Sequence, residues 1–105
     1  MDDFERRLQL QSKLEEVIGS RNVYFQPPET MRLEYPCIVY FKNALPVNYA
    51  NNKIYKKKQA YTLTYVDKNP DSEMPNTILR AFSFIRTDSY YRSEGLNHTK
   101  FTLYF

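Results

Sequence analysis

Apolar residues fall at Phe4, Leu8, Leu14, Val17 and Ile18, with Leu10 beside them, a spacing that gathers one stripe on an α-helix over residues 3–18. Asp2, Asp3 and Glu5 sit where the helix dipole favours negative charge, and Gly19 supplies the stop. Val23, Tyr24 and Phe25 make a short β-prone run over residues 22–26, which Pro27 and Pro28 end by removing two ladder donors. The run from Cys37 to Phe41 is apolar on both faces and is expected inside a sheet, not at its border. Pro46 and the pair Asn51-Asn52 mark a turn region. Residues 59–67 then alternate Tyr61, Leu63 and Tyr65 with Thr62, Thr64 and Val66, the two-residue period of a pleated strand.

Asn69-Pro70-Asp71-Ser72 reads as a turn whose Asp71 or Ser72 caps a second helix, with Pro75 tolerated in its first turn and Ile78, Leu79 and Phe82 along it. Residues 83–87 read equally as the end of that helix or the start of a strand. Residues 88–97 are polar, contain Gly95 and carry Tyr90 and Tyr91, the pattern of a loop. A last strand over residues 99–105 places Phe101, Leu103 and Phe105 on one face, and Phe105 is expected to be seated in the fold or in a partner. The order helix, three strands, helix, two strands predicts an α+β fold. Its sheet is expected to be mostly antiparallel, of about five strands packed against an N-terminal helix and a second, shorter one, as one domain over residues 1–105.

Composition adds limits to this outline. Ten Tyr and seven Phe in 105 residues give a ring-rich core whose hydroxyls need partners, and such residues also suit protein interfaces. A net charge of +3 is too modest to indicate nucleic acid by itself. The single cysteine, Cys37, allows no internal disulfide and points to an intracellular protein; no signal peptide or membrane anchor is expected.

Candidate chemistry is sparse. His98 is the one histidine, and no Ser or Cys lies in a nucleophile motif, so a hydrolytic triad would need partners from distant loops; His98 is better read as a ring that fixes the loop before the last strand by hydrogen bonding. Cys37, inside an apolar run, behaves as a small hydrophobe. Two glycines, Gly19 and Gly95, cannot build a phosphate loop. Asp67, Asp71 and Glu73 could offer oxygens to a hard cation, but capping accounts for them better. Asn97-His98-Thr99 matches a glycosylation acceptor by chance in a chain without a secretion signal. Lys53, Lys56, Lys57 and Lys58 around Tyr55 form the one basic run, which could hold phosphates and stack a base, or simply keep a turn solvated. No enzyme activity, cofactor or metal is expected.

Several strings taken in order carry a resemblance: Val23-Tyr24-Phe25-Gln26-Pro27-Pro28, Tyr35-Pro36-Cys37-Ile38-Val39-Tyr40, Tyr49-Ala50-Asn51-Asn52 with Tyr55, Asp67-Lys68-Asn69-Pro70-Asp71-Ser72, and Leu96-Asn97-His98 leading into Phe101 to Phe105. Together they resemble the tail-terminator or tail-completion proteins of long-tailed phages and prophages, in the short forms found in phages of Gram-positive hosts. The chain departs from that pattern at Glu94-Gly95 and at Thr99. The resemblance implies a non-catalytic subunit, made in the bacterial host cytoplasm and located in the virion neck. It implies a homo-oligomeric ring, a hexamer, that ends growth of the tail tube and meets the tube protein and the head-closure or connector protein.

Partner contacts are expected on the segments 43–58 and 88–97, through Tyr49, Asn51, Asn52, Lys53, Tyr55, Lys56, Lys57, Lys58, Tyr90, Tyr91 and Arg92. A head-closure or connector subunit is the sibling reading. A small nucleic-acid-binding module using the lysine run is the rival from another class; in the leading reading nucleic acid is met only indirectly and membrane not at all.

Overall fold

The computed structural model describes residues 2–43 and 59–105. The fold is α+β: a mixed, mostly antiparallel sheet of five strands with an N-terminal helix and a second, shorter one. Helix α1 spans Asp3–Ile18. The Asp2 carboxylate accepts from the Glu5 N–H at 2.8 Å, filling one of the first-turn donors that a helix leaves unpaired. At the far end Gly19 takes a left-handed φ of 69°, and the N–H of Ser20 returns to the Glu15 carbonyl at 3.1 Å. Leu10 and Leu14 are buried, whereas Phe4 and Leu8, the start of the expected stripe, are exposed. The stripe therefore enters the core only from its second turn onward.

Strands β1 (Val23–Phe25) and β2 (Cys37–Lys42) run parallel, with Val23 opposite Ile38. Strand β3 (Ala60–Asp67) pairs antiparallel with β2, so β2 is interior as its apolar run requires. Helix α2 covers Met74–Ala81. Of the two proposed caps it is Ser72 whose Oγ accepts from the Met74 N–H, at 3.1 Å. Phe82 does not continue the helix: its backbone is extended, and it turns a nearly buried ring into the core.

The clearest correction concerns residues 88–97, expected as a loop. They belong to a β-hairpin, β4 (Ile85–Ser93) and β5 (Leu96–Tyr104), joined at Glu94 and Gly95. Both turn residues have positive φ, 52° and 78°, the conformation that matches a two-residue hairpin turn to the twist of its strands. The strand order is β1-β2-β3-β5-β4, so β5 is interior and β4 forms one border. From Arg86 onward β4 is exposed on both faces, so nothing imposes an apolar alternation and its sequence reads like a loop.

The helix-side face of the sheet carries Ile38, Tyr40, Tyr61, Leu63, Tyr65, Phe101 and Leu103, which join Leu10, Leu14, Ile78 and Phe82 in one core. At a rough 25 cal/mol per Å2 of apolar area, a buried Phe or Leu side chain such as these contributes about 1.5–3 kcal/mol. Phe105 lies past the end of β5; its N–H donates to the Gln59 carbonyl at 3.0 Å, and its ring meets Phe82 edge-on at 6.2 Å. Its seat is within this fold.

Candidate protein interface

The two borders of the sheet differ in what their backbones meet. Strand β1 has three residues, and the Gln11 side chain of α1 donates to the Val23 carbonyl at 2.9 Å. The segment after β1 folds back over it, with the Glu34 N–H donating to the Tyr24 hydroxyl at 3.2 Å. Gln11 also accepts from the Tyr40 hydroxyl at 2.6 Å, so one amide ties the helix to the core phenol and to the strand border at once. Burial raises the Tyr40 phenol above its usual range, against the pull of the Arg7 guanidinium.

Strand β4, nine residues long, has β5 on one side and, among the described residues, no strand on the other. Its N-terminal half is shaped by a bulge between Thr87 and Ser89. Asp88 there accepts from the Thr102 hydroxyl and, at 2.8 Å, from Arg86 Nε. Burial opposes the Asp88 charge, but those two donors outweigh it and hold the carboxyl below its ordinary value. A bulge of this kind twists a border strand and limits how far another strand can pair with it.

The C-terminal half of β4 is regular and carries three of the residues singled out from sequence: Tyr90, Tyr91 and Arg92. Tyr90 is 57% exposed and its hydroxyl donates to Asn97 Oδ1 at 3.2 Å; the Asn97 amide in turn donates to the Asp67 carbonyl. Tyr91 points to the opposite face, stacked on His98 at 4.7 Å with the rings 9° from parallel. His98 Nδ1 lies 3.2 Å from the Leu96 carbonyl, but both residues belong to β5, so the ring acts within the strand and not on a loop before it. Arg92 has no ion-pair partner among the described residues. The patch is thus two rings with fixed orientations and one uncommitted cation, the composition that protein interfaces favour.

A second surface lies at the other border. Asp2, Asp3, Phe4, Arg7, Phe25, Gln26 and Lys42 line an open groove of about 680 Å3. The Arg7 guanidinium sits 4.3 Å from the centre of the Phe25 ring and 5.7 Å from that of Phe4, so the groove has an aromatic and cationic floor between acidic and basic rims.

The other sequence candidates divide as follows. Tyr49, Asn51, Asn52, Lys53, Tyr55, Lys56, Lys57 and Lys58 lie outside the described residues. Asp67 serves its turn: it accepts from the Tyr65 hydroxyl at 2.7 Å and the Asn69 N–H at 3.1 Å. Burial works against its charge, and these bonds outweigh it, lowering the carboxyl. Among the described residues no three His, Cys, Asp or Glu side chains gather to hold a metal. Cys37 is buried, and burial pushes its thiol up to about 11. Sequence reasoning missed Arg86, Asp88 and Ser89 as parts of the same border; the signal for them was the pair Glu94-Gly95, which reads as a hairpin turn once Tyr90-Tyr91 before it and Leu96 to Thr99 after it are taken as strands. No protein-family model, no curated protein and no solved structure matches the chain.

Proposed function

We propose that this chain is a structural phage-assembly subunit of the tail-terminator kind, which forms a ring on the end of the tail tube, stops its growth and presents a surface to the head connector. The observation that carries the reading is the pair of unlike surfaces at opposite borders of one sheet. One is the Tyr90, Tyr91 and Arg92 patch on β4; the other is the groove floored by Phe4, Arg7 and Phe25. A closed ring needs two different surfaces per subunit, each fitting the other on the next copy, and a ring with an exposed rim leaves further area for tube and connector. Of the sequence strings that resemble the tail-terminator family, four fall on β1, β2, the turn before α2 and β5, and the one around Tyr49-Ala50-Asn51-Asn52 lies outside the described residues.

Electron microscopy of particles assembled without this chain tests the reading. Overlong or irregular tails that fail to join heads are expected, and normal tails of fixed length would reject it. A companion variant, Tyr90→Ala with Tyr91→Ala and Arg92→Ala, keeps the core intact and should reproduce the defect.

A further inference from the structure

We infer that the groove at the β1 border is filled by the end of the β4–β5 hairpin of a second copy, head to tail, with Tyr90 of that copy over Phe4 and its Arg92 against Asp3. The inference rests on the ring reading, which calls for two unlike surfaces on each subunit, and names how they meet. Among the described residues the two most exposed large apolar side chains are Phe4, at 61%, and Tyr90, at 57%. They stand at opposite corners of one sheet. The row through Phe25 runs by Tyr40, Leu63 and Phe101 to Thr87, whereas Arg92 lies opposite Asn97, four residues along β5 from Phe101. The corners are about 19 Å apart across four strand spacings and about 13 Å apart along the strands, so neither covers the other within one chain.

Shape selects the head-to-tail contact. A concave surface of about 680 Å3 is not filled by a second groove set against it; it takes an element that projects. The hairpin end is such an element: from Arg86 to Ser93 its first strand is exposed on both faces, and the chain reverses at Glu94 and Gly95. Unlike surfaces join copies heterologously, the geometry that can close into a ring. Charge sets the orientation. Tyr90 and Arg92 share one face of β4, and Glu94 follows two residues further on. In the groove Asp3 and Arg7 share one face of α1, four residues apart. The spans match, about 6 Å of helix rise against about 7 Å of strand, so Arg92 meets Asp3 while Glu94 meets Arg7. Turned end for end, the hairpin would set Arg92 against Arg7 and Glu94 against Asp3, like charges in both places. Among the described residues none of these four charges has an ion-pair partner in its own chain.

A short two-headed thiol cross-linker tests the contact. A mixture of Phe4→Cys chains and Tyr90→Cys chains, made distinguishable by mass, should give a mixed dimer, while neither variant alone should cross-link. Both side chains are exposed, so neither change disturbs the core, and the buried native Cys37 stays silent. Sedimentation equilibrium of the purified chain should show association that weakens with added salt. Arg92→Glu should raise the dissociation constant by about tenfold or more, and adding Asp3→Lys in the same chain should bring it back. Cross-linking of either cysteine variant by itself, absence of the mixed product, or no recovery in the double charge reversal would overturn the inference. Tail shape does not enter these readouts. A mixed product beside normal tails of fixed length leaves the contact standing and rejects the ring reading; defective tails with no mixed product do the reverse.

Discussion

Gln11→Leu is the most informative single change to the fold. The native amide accepts from the Tyr40 hydroxyl at 2.6 Å and donates to the Val23 carbonyl at 2.9 Å. Leucine keeps most of the volume and removes both bonds, along with the amide's donation to the Glu15 carboxylate at 2.9 Å. Arg7 Nη1, 3.5 Å from the phenol oxygen, is a donor only and cannot take the phenol proton in place of Gln11. Each orphaned buried group costs about 1–3 kcal/mol, so a combined loss of about 2–4 kcal/mol is expected, out of a total stability of about 5–15 kcal/mol for a domain of this kind. Tyr40→Phe alone leaves Gln11 reaching toward solvent and should cost only about 1 kcal/mol. In the double variant the phenol no longer needs a partner, so adding Tyr40→Phe to Gln11→Leu should recover about 1 kcal/mol. Urea unfolding of the four proteins, with a common slope, measures this directly. Strictly additive losses would show that the phenol and the amide do not depend on each other and would refute the reasoning.

Three further outcomes follow from single positions. Asp67 has its carboxyl lowered from an ordinary 3.8, so it stabilises the fold above that value and the stabilisation is lost as pH falls through the lower, folded value; Asp67→Asn should flatten the decline of the unfolding midpoint below about pH 4. Cys37, with its thiol pushed up to about 11, should react with a thiol reagent at pH 8 far more slowly in the folded protein than in urea, and equal rates would contradict its burial. Gly95→Ala meets no neighbouring atom but must hold a φ of 78°, so it should cost about 1–2 kcal/mol by thermal unfolding through backbone strain alone.

What could be read from sequence tracks how strongly each segment is buried on one side. Helix α1 and strand β3 carry periodic apolar residues because a core face demands them, β2 carries a continuous apolar run because it is interior, and their places were legible. Strand β5 was legible from Thr99 onward, where Phe101 and Leu103 begin the buried alternation. Strand β4 was not, because its side chains from Arg86 to Ser93 are exposed on both faces and its existence depends on hydrogen bonds to β5 rather than on a burial pattern. The parallel pairing of β1 with β2 was also invisible: a three-residue strand has no room for a period, and its direction is set by the segment from Gln26 to Pro36 that carries the chain back. The candidate interface was half legible. Tyr90, Tyr91 and Arg92 stood out as aromatic and cationic, but their fixed orientation on a strand did not.

The inequality of the two sheet borders has a consequence for how far self-association can go. Among the described residues only one side of the sheet is open to another strand, so strand addition alone can join no more than two copies and no fibre can propagate through the sheet. That ceiling is held at β1 by its three-residue length, by Gln11 against the Val23 carbonyl and by the segment that bonds Tyr24 through Glu34. Freeing β1 would give each molecule a second point of attachment, and growth without end, not mere loss of fold, would become the hazard.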